Sequence, residues 1–169
     1  KGGLGEAKTP ANYAMSLAAQ QEAYAEGFGQ VLWLDAVHRK YIEEVGTMNI
    51  LFKIKGEIVT PALNGSILGG ITRKTVLELC RSWGVPAIER QISIDEVYEA
   101  HAKGELEEVF GSGTAAVISP VGELSWKGKR IVINNNQTGP FAQKLFDYIT
   151  GVQSGKIEDK FNWMEEIKG

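Results

Sequence analysis

The sequence has few of the residues that build cross-links and metal sites. It contains one cysteine, Cys80, and two histidines, His38 and His101, among 169 residues. A single cysteine excludes a disulfide within the chain and a cysteine-based zinc site, and it fits a reducing compartment. The histidines have no companions that would complete a constellation, so we assign them no role and expect no metal site.

The sequence also lacks a strong charge excess and a long apolar run. Its formal net charge is −3, with acids and bases spread along the chain, which argues against a nucleic-acid or membrane-surface partner. No apolar run approaches the roughly 20 residues that cross a bilayer, and the glycine-rich start differs from a signal peptide. With 43% hydrophobic residues, we expect one compact, soluble, cytoplasmic domain with a small ligand.

The chain is a series of short apolar and helix-forming segments separated by glycine turns. Strands are predicted over residues 30–35, in two parts of 48–61 that turn at Lys55 and Gly56, and over 87–93. Residues 107–114 are predicted to form a strand that runs into a tight glycine turn, and residues 115–133 a hairpin-like pair of strands. Helices are predicted over residues 12–26, 71–84, 94–104 and 139–152. Cys80 falls on an apolar helix face, which indicates a core position, and Ser93 is the expected N-cap of the third helix. Because strands and helices do not alternate strictly, the predicted fold is mixed α+β, with a β-rich core and surrounding helices.

Four stretches combine glycines with small polar residues: GEAKTPANY, EEVGTMN, LGGITRKT and GSGTAA. The third opens a helix, so the amides of Ile71 and Thr72 can face a phosphate at the positive end of the helix dipole. The fourth offers further amides from Gly113 to Ala115, where glycine lets the backbone approach a ligand. Alone, the third stretch is more often a turn than a ligand site and the fourth is ambiguous, and neither the GxxxxGK[ST] nor the GxGxxG pattern is present.

Two charged groups complete a possible site. EEVGTMN contains two carboxylates, of which at most one faces inward in an extended segment. A buried carboxylate needs a partner, and a protonated heterocyclic nitrogen is one such partner. Lys8 is a candidate nucleophilic amine, although a surface lysine is the ordinary alternative. A phosphate cradle, an inward carboxylate and an amine together favour pyridoxal phosphate as the cofactor.

The runs GLGEAKTPANYAMSLAAQ, QVLWLDA, EEVGTMNI, LNGSILGGITR and FGSGTAAVISP, in this order, resemble the C-terminal half of a branched-chain amino acid aminotransferase. That family belongs to the fold-type IV pyridoxal phosphate enzymes. The resemblance covers essentially the whole chain and implies that residues 1–169 are the cofactor-binding C-terminal domain of the D-amino acid aminotransferase-like fold. It also implies a homodimer and an N-terminal domain, absent from this sequence, that supplies an arginine and other pocket residues.

The resemblance also implies roles for individual residues. Lys8 would form the internal aldimine with the cofactor, Tyr13 would bond its 3-oxygen, and Glu44 would pair with the pyridinium nitrogen while Glu43 points elsewhere. The implied phosphate and ring contacts are Leu68, Gly70, Ile71, Thr72 and Thr114. The amides of Thr114 and Ala115 would receive the substrate carboxylate, and Met48 would lie near the substrate side chain or in the core. Ala116 and Ser119 stand where some relatives carry a redox-active cysteine pair.

The implied reaction is transamination. The amino group of leucine, isoleucine or valine would pass to 2-oxoglutarate, giving glutamate and a 2-oxo acid with ping-pong kinetics. Without the N-terminal domain we expect the fragment itself to be inactive. D-amino acid aminotransferases and aminodeoxychorismate lyases share the fold and remain alternatives, although EVGTMN and QVLWLD favour the branched-chain enzymes. A further alternative is a non-catalytic binding or assembly module.

Overall fold

A central sheet organises the molecule in the computed structural model, which describes residues 3–165 and 167. The sheet has seven strands: β1 (Leu32–Leu34), β2 (Ile42–Val45), β3 (Met48–Ile54), β4 (Glu57–Thr60), β5 (Ala87–Glu89), β6 (Leu106–Gly113) and β7 (Val117–Pro120). A separate hairpin is formed by β8 (Glu123–Trp126) and β9 (Lys129–Val132). The α-helices of the described residues are α1 (Pro10–Ala14), α2 (Leu17–Ala25), α3 (Ile71–Ser82), α4 (Ile94–Ala102) and α5 (Pro140–Gln153), and a 3₁₀ turn covers Asn134–Asn136.

Strand β3 is the hub of the sheet. It pairs with β6 from Asn49 to Ile54, and it pairs with β2 at its start and β4 at its end. Strand β6 therefore occupies one edge of β3, while β2 and β4 share the other. The pairing of β4 with β5 is parallel, and the other pairings of the sheet are antiparallel. This architecture confirms the predicted β-rich mixed fold.

The two faces of the sheet bury separate apolar clusters. Ile50 and Phe52 of β3 face one cluster, which includes α4 and part of the β8–β9 hairpin. Leu51, between them, faces a second cluster formed with α3 and α5. This separation follows the period of two in a strand, because successive side chains point to opposite faces. Cys80 lies fully buried in the second cluster, which confirms its predicted core position.

The first predicted helix was wrong in its extent. Residues 12–26 do not form one helix, because α1 ends at Ala14 and α2 begins at Leu17. At the break, Ser16 Oγ donates a hydrogen bond to the Tyr13 carbonyl at 2.7 Å. Such bonds from a short polar side chain to nearby backbone compete with regular helix. The predicted helices that correspond to α3, α4 and α5 are confirmed within two residues of each end, and Ser93 caps α4 by accepting a bond from Glu96 N.

Several predicted strands also need correction. The segments 30–35 and 87–93 contain shorter strands than predicted, β1 and β5. Strand β1 ends before Asp35, whose carboxylate accepts bonds from three amides of the following loop. The predicted glycine turn within GSGT is instead strand, since β6 continues through Gly113 and the turn covers residues 114–116. The segment 115–133 contains three strands rather than a pair, and the first of them joins the main sheet.

Within residues 3–165 and 167, no helix is both long enough and apolar enough to cross a membrane. In the same part of the chain, no three His, Cys, Asp or Glu side chains are grouped so that they could hold a metal ion.

Candidate active site

A cavity of about 580 Å³ lies where β2, β3 and β6 meet the start of α3. It brings together every residue to which the sequence assigned a role in binding or catalysis: Lys8, Tyr13, Glu44, Met48, Leu68, Gly70, Ile71, Thr72, Thr114 and Ala115. Ala116 and Ser119 also line it. The segments that contribute these residues are far apart in the sequence, so the sheet and the loops around it create the site.

A row of three polar residues crosses the sheet at the floor of this cavity. Glu44 of β2 is paired directly with Asn49 of β3, and Asn49 is paired directly with Ser112 of β6. Residues opposite each other in an antiparallel pair project from the same face. The three side chains therefore form a polar row, Glu44–Asn49–Ser112, across three neighbouring strands.

Asn49 connects the row to the glycine loop before α3. Its side chain is 5% exposed, and its Nδ2 donates to the Leu68 carbonyl at 2.7 Å and to Glu44 Oε1 at 3.3 Å. Its Oδ1 accepts a bond from Gly70 N at 3.2 Å. One buried amide thus holds the carboxylate of β2 and the loop from Leu68 to Gly70 in a fixed relation.

Glu44 is the carboxylate that faces the cavity. Burial raises its pKa from 4.5 to about 7, and the neighbouring charge of Glu43 adds to the rise, although a backbone hydrogen bond at Leu68 opposes it. Within the described residues, no lysine, arginine or histidine forms an ion pair with Glu44. The group would be stabilised as an anion by a cation placed in the cavity.

Glu43 lies in a second cavity, of about 370 Å³, that adjoins the first. Its Oε1 accepts a bond from Ser66 Oγ at 2.5 Å. The two cavities share Tyr13, Glu44, Thr47 and Leu68. Of the two adjacent carboxylates, only Glu44 lines the larger cavity, as the alternation of side chains along a strand allows.

The start of α3 opens onto the larger cavity. Gly70 is the N-cap residue, and no side chain bonds to the first-turn amides, which have no acceptor within the helix. A Cβ at position 70 would collide with Asn49 Oδ1, so glycine is what allows the loop to approach Asn49 so closely. The amides of Ile71 and Thr72 and the positive end of the helix dipole form an anion-binding surface.

The glycines of β6 lie close to the Met48 side chain. A Cβ at Gly111 would lie 2.9 Å from Met48 Cε, and one at Gly113 would lie 3.1 Å from Met48 Cγ. Both glycines therefore make room for the Met48 side chain. Met48 packs against the first apolar cluster and also lines the cavity.

Lys8 and Tyr13 form the opposite side of the cavity. Lys8 is exposed and precedes α1, and Tyr13 is half-buried within that helix. Helix α1 has no buried residues. Asn12 stabilises the segment locally, because its Nδ2 donates to the carbonyls of Leu4 at 2.7 Å and Ala7 at 2.9 Å. The Lys8 amine therefore lies on a loop that is stabilised by hydrogen bonds within its own segment, and not on the sheet.

Sequence reasoning missed Asn49 and Ser112. Both stand in strands that were recognised, and the signal was a lone polar residue at a position that the strand buries. Asn49 precedes the apolar run ILF, and Ser112 stands between two glycines. Strand register, which the sequence did not supply, determines that both residues face the site.

A sequence model of the amino-transferase class IV family matches residues 2–124. The chain belongs to the class IV aminotransferases. Enzymes of this class use pyridoxal phosphate. The branched-chain-amino-acid aminotransferase 2 of Bacillus subtilis is 62% identical over 167 residues, covering 99% of this chain and 46% of that protein. A probable branched-chain-amino-acid aminotransferase of Streptomyces coelicolor is 45% identical over 166 residues, covering 98% of this chain and 46% of that protein. The chain spans about half the length of the curated relatives it matches.

Solved structures of class IV aminotransferases share the fold of this chain. The branched-chain amino acid aminotransferase of Escherichia coli superposes with a TM-score of 0.80 at 31% identity, covering 96% of this chain and 49% of that one. Another branched-chain amino acid aminotransferase, complexed with N-(5'-phosphopyridoxyl)-L-glutamate, gives a TM-score of 0.78 at 29% identity, covering 94% of this chain and 49% of that one. The predicted relation to the D-amino acid aminotransferase-like fold of fold-type IV is confirmed at the level of architecture.

Proposed function

We propose that this chain is the cofactor-binding part of a branched-chain amino acid aminotransferase that uses pyridoxal 5'-phosphate. The observation that carries the proposal is the meeting of an amine, a desolvated carboxyl and an anion-binding helix end in one cavity. The names of the relatives and of the solved structures support the branched-chain assignment.

The residues of the cavity fit this cofactor. Glu44 is a half-buried carboxyl without an ion-pair partner among the described residues, and a protonated pyridine nitrogen would supply one. The uncapped first turn of α3, with Thr114 beside it in the cavity, suits a phosphate. Lys8 provides an amine, and Leu68 an apolar surface for a ring.

Each residue has a defined task in the proposed mechanism. Bound pyridoxal phosphate supplies a conjugated ring that delocalises the negative charge left when the substrate Cα loses a proton. Lys8 Nζ would hold the cofactor and, once the substrate amine has taken its place, would accept the proton from the substrate Cα and return it as a general acid. Glu44 would keep the ring nitrogen protonated, and Tyr13 would donate a hydrogen bond to the 3-oxygen.

Backbone amides hold the charged ends of both ligands. The amides of Ile71 and Thr72, with Thr114, bind the phosphate at the start of α3. The amides of Thr114 and Ala115 bind the substrate carboxylate, and Met48 contacts the substrate side chain. Apolar contacts of this kind distinguish side chains that differ by one methylene by about 1–3 kcal/mol, so leucine, isoleucine and valine would all be accepted.

The proposal extends to the whole protein. The amino group would be passed to 2-oxoglutarate, an N-terminal domain would supply the remaining walls of the pocket, and two copies would form a homodimer in the cytoplasm. Light scattering of the full-length protein tests the dimer, and cell fractionation tests the location. A monomer with full activity would contradict the first of these.

Covalent trapping tests the cofactor assignment. Adding pyridoxal phosphate should produce a visible absorption band, and borohydride reduction should fix the cofactor to Lys8, as peptide mass spectrometry would show. Lys8→Ala should abolish both signals, whereas Lys74→Ala, which removes another exposed lysine of the chain, should leave them unchanged. A band that persists after Lys8→Ala would overturn the role of Lys8.

A substrate comparison tests the reaction. The full-length protein should transfer amino groups from leucine, isoleucine and valine to 2-oxoglutarate. Double-reciprocal plots of its initial rates should give the parallel lines of ping-pong kinetics. D-Alanine and aminodeoxychorismate are the matched alternatives, because they are substrates of the other enzymes with this fold. Preference for either one, or cofactor binding without turnover of any of them, would replace the proposal.

A further inference from the structure

We propose that the Ser112 hydroxyl donates a hydrogen bond to the phosphate group of the bound cofactor. This inference rests on the proposed function, and it adds a binding residue from β6 to the backbone amides at the start of α3.

The first observation is an unsatisfied buried hydroxyl. Ser112 is 2% exposed, and its Oγ has no hydrogen-bond partner among the described residues. Buried polar atoms in native structures almost always have a partner, so an exception calls for an explanation. Ser112 lines the larger cavity, and a ligand in that cavity can accept the bond that no protein group accepts.

The second observation is the position of Ser112 in the polar row. It lies directly opposite Asn49, whose Oδ1 holds Gly70 N at 3.2 Å, immediately before α3. Along the chain it stands two residues before Thr114, which is also assigned to the phosphate. Ser112 is therefore next to both phosphate-binding elements.

The ring-nitrogen end of the cofactor is farther away. Glu44 lies on β2, two strands from β6, and neighbouring strands are about 4.8 Å apart. A separation of roughly 10 Å between the backbones places Ser112 away from the ring nitrogen and towards the phosphate. The hydroxyl is a good donor to an anion, because hydrogen bonds to charged acceptors are stronger than neutral ones.

The test compares Ser112→Ala with Ser119→Ala in the full-length protein. Ser119 lines the same cavity from β7 but is only half-buried, so it is a matched control. Each variant is titrated with pyridoxal phosphate and with pyridoxal, which lacks the phosphate. We expect Ser112→Ala to weaken pyridoxal phosphate binding about tenfold and to change the Kd of pyridoxal less than about twofold. Ser119→Ala should leave both constants unchanged.

Thermal unfolding of the cofactor-free protein provides a second measurement. Replacing an unpartnered buried hydroxyl with a methyl group should leave Tm unchanged or raise it, because a desolvation cost disappears. A merely structural serine would instead lower Tm. Weaker cofactor binding together with unchanged or higher stability is the expected combination.

Other outcomes overturn the inference in distinguishable ways. If Ser112→Ala weakens the affinity for pyridoxal phosphate and for pyridoxal equally, Ser112 contacts the ring and not the phosphate. If neither affinity changes, Ser112 does not contact the cofactor. Both results overturn the inference but leave the proposed function intact. Failure of the unmodified protein to bind pyridoxal phosphate would overturn both proposals. If Ser112→Ala does not fold, Ser112→Cys keeps the volume with a weaker donor, and the same affinity difference is expected, with a shifted phosphorus-31 resonance of the bound cofactor.

Discussion

Helices α3 and α5 begin in nearly the same way, yet their first turns meet different partners. Each has a glycine N-cap in extended conformation, Gly70 with φ −65° and ψ 137° and Gly139 with φ −69° and ψ 147°. At α5, the Glu108 carboxylate accepts bonds from Phe141 N at 3.0 Å and Ala142 N at 2.9 Å. At α3, no side chain of the described residues does so, and the turn opens onto the cavity.

The difference separates a structural helix end at α5 from the proposed phosphate-binding helix end at α3. Both lie against β6, which presents Glu108 to α5 and, four residues later on the same face, Ser112 to the cavity beside α3. The carboxylate of Glu108 neutralises the positive end of the α5 dipole from within the chain. The equivalent interaction at α3 is left to a ligand, as the proposed phosphate site requires.

Glu108→Ala should have the largest effect on stability. Glu108 is 4% exposed, and its removal leaves two buried amides of α5 without an acceptor. We expect the free energy of unfolding in urea to fall by about 3–4 kcal/mol. Glu108→Gln, which keeps one acceptor oxygen, should lose about half as much. A loss below about 1 kcal/mol for the alanine variant would show that α5 does not depend on this carboxylate.

Asn49→Ala should have the second-largest effect on stability. It removes the acceptor of Gly70 N and the donor to the Leu68 carbonyl and Glu44, so we expect a loss of about 2–3 kcal/mol in urea unfolding. Asn49→Asp keeps the acceptor for Gly70 N but places a second carboxylate beside Glu44. Its stability should therefore decline further as pH rises, whereas a pH-independent loss would contradict the contact with Glu44.

Glu44→Gln should have a smaller effect that depends on pH. Burial raises the pKa of Glu44 in the folded protein from 4.5 to about 7, so the folded state binds the proton more tightly than the unfolded state does. The contribution of Glu44 to stability is therefore fully present below pH 4.5 and is lost as pH rises towards 7. Because the group is partly solvated, we expect the variant to gain about 1–2 kcal/mol over the parent at about pH 8.

The same comparison at about pH 5 is the control for Glu44. The free energies of unfolding of the two proteins should differ much less at this pH than under the alkaline condition, as urea unfolding at both pH values would show. Bound pyridoxal phosphate should also reverse the gain, because the pyridinium cation stabilises the Glu44 anion. A constant difference across this pH range would mean that Glu44 does not titrate as its burial indicates.

Thr72→Ala should change the stability of the cofactor-free protein least, by less than about 0.5 kcal/mol. Its hydroxyl caps no helix amide, in contrast to the Glu108 carboxylate at α5. Pyridoxal phosphate affinity should nevertheless fall severalfold in an absorbance titration, since the hydroxyl faces the proposed phosphate. A large stability loss without a change in affinity would make α3 a structural end like α5.

The sequence, with the family resemblance it carries, was sufficient for the class of fold and for many of the residues that meet in the cavity, but not for Asn49 and Ser112. Local signals predicted α3, α4 and α5, because their apolar faces, caps and glycine ends lie within single segments. The same signals placed a turn at Gly111 and Gly113, where the structure has a strand shaped by the Met48 side chain. The local structure at such positions depends on packing between strands, which the sequence of a single segment does not specify. The roles of the cavity residues remain proposals.

The polar row Glu44–Asn49–Ser112 has a consequence for folding. A shift of one residue in the pairing of β3 with β6 would move Ser112 to the opposite face of the sheet and bring a glycine to the cavity in its place. Asn49 and Ser112 belong to strands joined by a long intervening segment, so their pairing closes a large loop and is slow to form. The proposed ligand site therefore depends on the correct strand register, and binding of pyridoxal phosphate would report directly whether the sheet has folded in register.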